Sequence, residues 1–327
     1  MGLLYSSLRL LLNAKQQGCV FDKVVTIGRQ QLFLWPEEAT QLAREFSDNE
    51  SSHDLVEAQK LSTWAGFAEP FLERALKSES IDSIDFSDFE QATLVHDLNQ
   101  PIPCEWENRF DAVIDGGTLE HIFNVPVALA NYMKMVRVGG CVLICTNANN
   151  HCGHGFYQFS PELFCRVFSV QNGFELLDLV LVEHPFPGAE LSPQQTCYSV
   201  VDPDAVNQRV GLVSNRPAMV MVLARRTSDQ EIFRPSPQQS DYQTKWQAAA
   251  DANVQATVAD EVPKTLIGKT RRFVGNAKRR FAKALPITVR HWINGKQQRS
   301  DYSLSNRAFY QPWQPRPAAS NRERKKK

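Results

Sequence analysis

The strongest constraint on the fold is the alternation of short apolar runs with helical stretches between Lys23 and Arg225. Near-continuous apolar strands separated by helices are typical of a parallel sheet covered on both faces. No helix is predicted between the last two runs, so they are expected to pair antiparallel at one edge. The runs that we interpret as strands are Lys23–Gly28, Ile81–Asp85, Ala92–Val95, Phe110–Asp115, Cys141–Cys145, Phe174–Glu183 and Ala218–Ala224.

Charge divides the chain into an acidic and a basic region. Residues 1–262 contain 18 basic and 34 acidic residues, a net charge of −16. Residues 263–327 contain 18 basic residues and only Asp301 and Glu323, a net charge of +16. Such asymmetry predicts an acidic folded part with a basic appendage. We divide the chain into an N-terminal cap helix (1–21), an α/β domain (22–226), a polar linker (227–262) and a basic tail, amphipathic and then disordered (263–327).

Ligands of an open parallel sheet bind at the carboxyl ends of its strands. Asp85 ends the second predicted strand, where a carboxylate suits a ribose diol. Asp97 and Leu98 follow the third strand, where an acid beside an apolar side chain suits the amino group and the face of an adenine. Asp115 follows the fourth strand.

Three stretches of the sequence, at Phe110–His121, Gly139–Ile144 and His96–Pro103, together resemble the class I S-adenosylmethionine-dependent methyltransferases, of the type 11-like group. Phe110–His121, FDAVIDGGTLEH, is similar to the motif at the fourth strand of that family. Gly139-Gly140 and the run after it are similar to the turn and fifth strand of the family, and His96–Pro103 resembles the segment after its third strand. The resemblance covers about residues 22–225. It implies a Rossmann-like sheet of seven strands in the order 3-2-1-4-5-7-6, with helices on both faces.

The resemblance also implies a cofactor, S-adenosylmethionine, and the residues that bind it. Asp85 and Phe86 would lie at the ribose, Asp97 and Leu98 at the adenine, and the loop after the fourth strand at the methionine end. The implied cofactor-binding residues are Gly28, Asp85, Phe86, Asp97, Leu98, Asp115, Gly116, Gly117 and Thr118.

The loop after the first strand departs from the family pattern. The family has G-x-G-x-G there, whereas this chain has Gly28-Arg29-Gln30-Gln31. Either the cofactor sits differently, or its affinity is weak, or binding has been lost. The absent glycines also exclude a dinucleotide-binding fingerprint, which disfavours a dehydrogenase.

A second polar segment, Asn149–Phe159, follows the fifth strand where the acceptor site of the family lies. His151, His154 and Tyr157 are its candidate catalytic residues, because an imidazole near neutral pKa can remove a proton from an acceptor oxygen or nitrogen. No second ligand pair accompanies His151-Cys152-x-His154, so we predict no metal site. His121 is interpreted as a structural histidine.

The basic tail has helical periodicity of apolar residues from Leu266 to Leu285, surrounded by Lys and Arg. A basic amphipathic helix fits an anionic membrane surface, a nucleic acid, or the acidic domain of the same chain. No apolar run approaches the length of a membrane span. Seven scattered cysteines without a C-x-x-C pair are typical of a cytoplasmic protein. If the partner of the tail is an anionic membrane surface, the protein would lie peripherally at that membrane.

The sequence therefore predicts S-adenosylmethionine-dependent methyl transfer to a small-molecule, saccharide or lipid-linked acceptor that it does not identify. The alternative is a catalytically degenerate methyltransferase fold that acts as a binding or scaffold protein.

Overall fold

The computed structural model describes residues 2–46, 51–61, 63–186, 195–242, 246 and 286–316. The chain forms two compact units. Unit 1 comprises Met1–Val200, Ser214–Pro237 and Gln311–Lys327, and unit 2 comprises Val201–Val213 and Gln238–Tyr310.

Eleven strands and eight α-helices lie within the described residues. The strands are β1 (Gly2–Leu4), β2 (Lys23–Ile27), β3 (Gln31–Phe33), β4 (Ser80–Asp85), β5 (Leu94–Val95), β6 (Phe110–Gly116), β7 (Val136–Asn149), β8 (Phe174–Glu183), β9 (Thr196–Val200), β10 (Ala218–Arg226) and β11 (Tyr310–Pro312). The helices are α1 (Tyr5–Gln16), α2 (Pro36–Glu45), α3 (Ser51–Lys60), α4 (Glu69–Leu72), α5 (Val125–Met135), α6 (Pro161–Val167), α7 (Pro203–Val206) and α8 (Ile287–Asp301).

Nine of these strands form one mixed sheet in the order β11-β9-β8-β10-β7-β6-β2-β4-β5. The pairs β2·β4, β4·β5, β2·β6 and β6·β7 are parallel, whereas β10 is antiparallel to both β7 and β8. The seven strands expected from the sequence are neighbours in the order third, second, first, fourth, fifth, seventh and sixth. The expected count of seven is corrected to nine, because β9 and β11 extend the edge beyond β8.

Side chains of the central strands alternate between two cores, one on each face of the sheet. Val24, Ala112 and Leu143 join the core that includes residues of α1, α2 and α3. Val25, Val113 and Val142, their neighbours in the sequence, join the core that includes residues of α5 and α6. Successive side chains of a strand point to opposite faces, so the apolar runs reflect burial on both sides.

The N-terminal segment differs from the predicted cap helix. Gly2–Leu4 is a strand that pairs in parallel with Gln31–Phe33, in a two-stranded sheet of its own. The helix that follows, α1, is buried along most of its length. The N-terminal segment therefore belongs to the core of unit 1.

The predicted linker and tail are also partly folded into unit 1. Ile232 and Phe233 pack against the core on the α5 side. Trp313 is 3% exposed and donates a backbone hydrogen bond to the carbonyl of Cys197 at 2.9 Å. Its indole Nε1 donates to Asp178 Oδ1 at 3.2 Å. Residues 311–316 thus correct the prediction of a tail outside the folded domain. The predicted basic helix before residue 286 and the end of the chain from 317 lie outside the described residues.

Unit 2 contains α7 and α8. Val213 donates a backbone hydrogen bond to the carbonyl of Tyr302 at 2.7 Å, and Tyr310 Oη donates to the carbonyl of Gly211 at 2.9 Å. Arg209 and Asp241 form an ion pair at 2.9 Å.

None of the helices in the described part of the chain combines the length and the apolar composition that a membrane span requires.

Candidate functional site

Two cavities open at the carboxyl ends of the parallel strands. The larger, of about 450 Å³, is lined by residues that follow β2, β4, β5 and β6. The smaller, of about 250 Å³, is lined by the loops after β6 and β7 together with Gly2, Leu4 and Phe33. His121 lines both cavities. We call them the large and the small cavity.

Most of the residues predicted to bind a cofactor line the large cavity. They are Gly28, Asp85, Phe86, Asp97, Leu98 and Thr118. Gly116 and Gly117 line the small cavity instead, and Asp115 lines neither. Parallel strand ends meet at one edge of a sheet, which is why residues distant in sequence converge there.

The two carboxylates of the large cavity, Asp85 and Asp97, are half-buried and held by local hydrogen bonds. Asp85 Oδ1 accepts from the backbone N–H of Phe86 at 2.6 Å. Asp97 Oδ1 accepts from the backbone and side chain of Asn99 at 2.9 and 2.8 Å. These bonds to Asn99 lower the pKa of Asp97, so its carboxylate is ionised at neutral pH. One oxygen of each carboxylate is used in this way.

Arg29, which directly follows Gly28 in the loop after β2, is directed away from both cavities. Its Nε lies 2.7 Å from Glu69 Oε1, and its guanidinium carbon lies 3.8 Å from the centroid of the Phe67 ring. Nη1 donates to the carbonyl of Glu90 at 2.8 Å. The side chain therefore does not fill the space beside Gly28, which takes a left-handed φ of 69°.

Gln30 explains the absence of a second glycine in this loop. Its buried side chain folds back and donates to the carbonyl of Ile27. A Cβ at Gly116 would lie 2.5 Å from Gln30 Oε1 and 3.1 Å from the carbonyl oxygen of Gly2. After Gln30 the chain enters β3 and pairs with β1, so a short strand replaces the glycine-rich turn.

Asp115 organises the loop after β6 from below. It is fully buried, and Oδ1 accepts from the N–H groups of Gly117 and Thr118 at 2.9 and 2.6 Å. Oδ2 accepts from Leu119 N–H and Tyr132 Oη, both at 3.0 Å. Asp115 thus lies beneath the loop rather than in either cavity. Asp115 positions Thr118, whose hydroxyl donates to the carbonyl of Ile27 at 2.6 Å.

The small cavity contains the two histidines that the sequence predicted to be catalytic. His151 and His154 both line it, with their ring centroids 6.2 Å apart. Tyr157 does not, because its hydroxyl donates to the carbonyl of Phe123 at 2.8 Å. Tyr157 thus connects two loops in this structure, and its catalytic role stays a prediction.

Glu120 and His121 are the titratable residues of the small cavity that the sequence analysis did not assign to catalysis. Glu120 is 1% exposed, and its Oε2 accepts from Thr146 Oγ1 at 2.7 Å. Its Oε1 lies 3.9 Å from His154 Nε2. His121 is exposed rather than a packed structural histidine, and its ring centroid is 5.4 Å from that of His154. One potential ligand atom each from Glu120, His121 and His154 lies within 4.8 Å of the other two.

The electrostatics of this group follow from burial. Desolvation raises the pKa of Glu120, opposed by the hydrogen bond from Thr146. Desolvation and the neighbouring His154 lower the pKa of His121, which favours the neutral imidazole. A neutral imidazole presents a lone pair to a proton or to a metal ion.

Solved structures similar to this chain include three bacterial proteins. A putative methyltransferase from Bacillus halodurans is 11% identical with a TM-score of 0.36, over 67% of this chain and 99% of that chain. The YcgJ protein from Bacillus subtilis is 11% identical with a TM-score of 0.37, over 69% and 100%. The third, 1,6-didemethyltoxoflavin-N1-methyltransferase from Burkholderia thailandensis, was solved with bound S-adenosylhomocysteine.

This third protein is 14% identical with a TM-score of 0.36, over 68% of this chain and 78% of that chain. No protein-family model matches the chain, and no curated protein matches it. Similarity at this level assigns the chain to no family and to no activity.

Proposed function

We propose that this protein binds S-adenosylmethionine in the large cavity and transfers its methyl group to an acceptor in the small cavity. The observation that carries the proposal is the adjacency of the two cavities. They share His121 and meet at the loop where Gly117 faces one and Thr118 the other. A donor and an acceptor site at neighbouring strand ends suit a bimolecular transfer, because binding both partners removes the entropic cost of their encounter.

The residues of the large cavity fit the adenosyl part of the cofactor. Asp85 ends the second of the parallel strands and offers a carboxylate oxygen to the two ribose hydroxyls. Leu98, only 7% exposed, offers an apolar contact for the adenine, and Asp97 offers a carboxylate oxygen for its amino group. The volume of about 450 Å³ lies within the range of small-molecule sites. When bound, the cofactor supplies an activated methyl group on its sulfonium.

The protein's own contribution to the transfer is to hold the acceptor and to take up its proton. His121, His154 and Glu120 face the small cavity, where an acceptor hydroxyl or amine loses a proton as it attacks the methyl carbon. An acceptor with a nucleophilic oxygen or nitrogen fits this set of groups. Small-molecule, saccharide and lipid-linked acceptors all carry such atoms.

Calorimetric titration with S-adenosylmethionine and S-adenosylhomocysteine tests the proposal. We expect saturable binding and at least a tenfold loss of affinity in Asp85→Asn, which keeps the shape but not the charge. Asp88→Asn is the matched control, because Asp88 is exposed three residues away and lines neither cavity. An absence of binding at about 1 mM cofactor, which corresponds to roughly 4 kcal/mol, would sink the proposal.

The second candidate function, a degenerate methyltransferase fold that only binds, is motivated by the sequence of the loop after β2. Gly28 is followed by Arg29 and Gln30 rather than by further glycines. Cofactor binding without methyl transfer to any acceptor in a panel of hydroxyl and amine compounds would support this alternative.

A further inference from the structure

We propose that Glu120, His121 and His154 bind one divalent transition-metal ion, of the zinc class, at the small cavity. The three side chains come from two loops, one after β6 and one after β7. Their ligand atoms lie within 4.8 Å of one another, and Glu120 Oε1 is 3.9 Å from His154 Nε2. Two imidazole nitrogens and one carboxylate oxygen make a donor set found in catalytic zinc sites.

The geometry requires only a small closure around the ion. Zinc–ligand bonds of about 2.1 Å in a tetrahedral site place the ligand atoms roughly 3.4 Å apart. Both imidazoles are exposed, so rotation about their side-chain bonds can bring them about 1 Å closer to the carboxylate. Glu120 is the fixed member of the set, since it is buried and bonded to Thr146.

Backbone and outer hydrogen bonds already hold the two loops together. The carbonyl of Glu120 accepts from Phe156 N–H at 2.7 Å, which ties the loop of His154 to Glu120 itself. Asn147 Nδ2 donates to the carbonyl of His154 at 3.0 Å. Thr146 orients the Glu120 carboxylate from behind. Outer-shell partners of this kind orient metal ligands in known sites.

The chemistry of the donors selects the class of ion. Imidazole nitrogens suit zinc, copper, iron and nickel, whereas magnesium and calcium prefer oxygen ligands only. Three protein ligands leave a coordination position open, as in catalytic zinc sites. That position faces the small cavity, so the ion would bind the hydroxyl oxygen of a methyl acceptor and lower the pKa of that hydroxyl. Because the three ligands use their lone pairs to hold the ion, the proton of the hydroxyl would then leave to solvent water. This role of the ion toward the acceptor rests on the proposed function, whereas the metal site itself does not.

Titration of the full chain with Co²⁺, a spectroscopic substitute for Zn²⁺, tests the site without any cofactor or acceptor. We expect saturable visible absorption bands that Zn²⁺ displaces. His154→Ala and Glu120→Gln should weaken binding by more than the roughly 10–100-fold that loss of an outer-shell partner causes. His53→Ala is the matched control, because His53 is an exposed histidine outside the cluster, and it should leave the affinity unchanged.

Thr146→Val separates positioning from ligation. It removes the hydroxyl that orients Glu120 while keeping the shape of the side chain, and we expect about 10–100-fold weaker Co²⁺ binding. Circular dichroism of each variant checks the fold. Should Glu120→Gln fail to fold, the exposed His121→Ala and His154→Ala variants carry the test.

Three results would overturn the metal site. They are the absence of saturable Co²⁺ or Zn²⁺ binding below about 1 mM, full affinity in His154→Ala, and a thiolate-to-cobalt band that disappears in Cys152→Ser. The last would assign the ion to Cys152, which is exposed two residues before His154. Cofactor titration of chelator-treated protein keeps the two proposals apart. Metal binding without cofactor binding would refute only the methyl transfer, and cofactor binding without metal binding only the metal site.

Discussion

Glu120 Oε1 lies 3.9 Å from His154 Nε2, although one residue follows the strand β6 and the other follows β7. Thr146, at the end of β7, donates to the other oxygen of the same carboxylate. Glu120 thus joins the loops after two neighbouring parallel strands. A buried carboxylate in this place both holds the loops together and faces the small cavity.

At pH 8, where the carboxylate is ionised, Asp115→Asn should destabilise the protein by about 2–3 kcal/mol. The amide nitrogen must face either the N–H groups of Gly117 and Thr118 or those of Leu119 and the hydroxyl of Tyr132. Either orientation leaves buried donors without an acceptor. Urea unfolding measures the loss, and Tyr132→Phe, which removes one donor, should cost only about 1 kcal/mol. Equal stability of Asp115→Asn and the wild type would contradict the role of Asp115.

The wild type and Asp115→Asn should also differ in how their free energies of unfolding depend on pH. Burial, with a smaller effect of Glu120, raises the pKa of Asp115 to about 7. The pKa of Asp115 in the folded protein therefore lies above its unfolded value near 3.9. Its contribution to the free energy of unfolding is complete below the unfolded pKa and is lost as the pH rises through 7. The free-energy gap between wild type and Asp115→Asn should therefore narrow by about 2–3 kcal/mol from pH 5 to pH 8. A difference in unfolding free energy that does not change with pH would refute the raised pKa of Asp115.

Gly116→Ala should cost about 1–3 kcal/mol of stability through overpacking. The added Cβ would meet Gln30 Oε1 at 2.5 Å and the carbonyl oxygen of Gly2 at 3.1 Å. Because Gln30 is the closer of the two, Gln30→Ala should relieve part of the cost. In a double-mutant cycle by urea unfolding, we expect a favourable coupling of at least about 0.5 kcal/mol. Strictly additive effects would show that the two positions do not interact.

Trp313→Ala should destabilise unit 1 by about 3–5 kcal/mol, since the indole is buried and hydrogen-bonded to Asp178. Trp292→Ala is the control, because that side chain is 61% exposed. Its effect should stay within about 0.5 kcal/mol. Similar thermal unfolding of both variants would place Trp313 outside the core.

The basic residues before residue 286 should bind anionic vesicles at low salt. The test variant carries five substitutions to Gln in the full chain, at Arg271, Arg272, Lys278, Arg279 and Arg280. The full chain is kept because a truncation that removed this segment and everything after it would also remove Trp313. Each basic residue contributes about 1 kcal/mol near an anionic surface. Cosedimentation of the wild type with anionic vesicles should therefore fall between about 50 and 200 mM salt, and the variant should not cosediment. Binding to RNA but not to vesicles would assign the segment to nucleic acid. Binding to neither would favour contact with the acidic part of the chain.

The apolar runs determined seven strands of an α/β sheet and, through the strand ends and the family resemblance together, six residues of the large cavity. A strand buried on both faces leaves a continuous apolar signature, and parallel strands bring their ends to one edge. Short strands such as β1, β3 and β11 lack this signature, because two or three residues carry no period. Trp313 gave no signal in a basic segment, because its burial depends on pairing with a distant strand.

Residue type and position after the fifth predicted strand likewise located His151 and His154 of the small cavity, but not the residues that lie beside them. Only the tertiary structure placed Glu120 and His121 beside His154. It also showed that Asp115 and Tyr157 make hydrogen bonds that hold loops in position. Local sequence determines which backbone conformation a residue prefers, and so it defines strands and turns. Which carboxylate faces a cavity and which one satisfies buried N–H groups depends on the loops that pack around it, and that is decided only when the sheet brings them together.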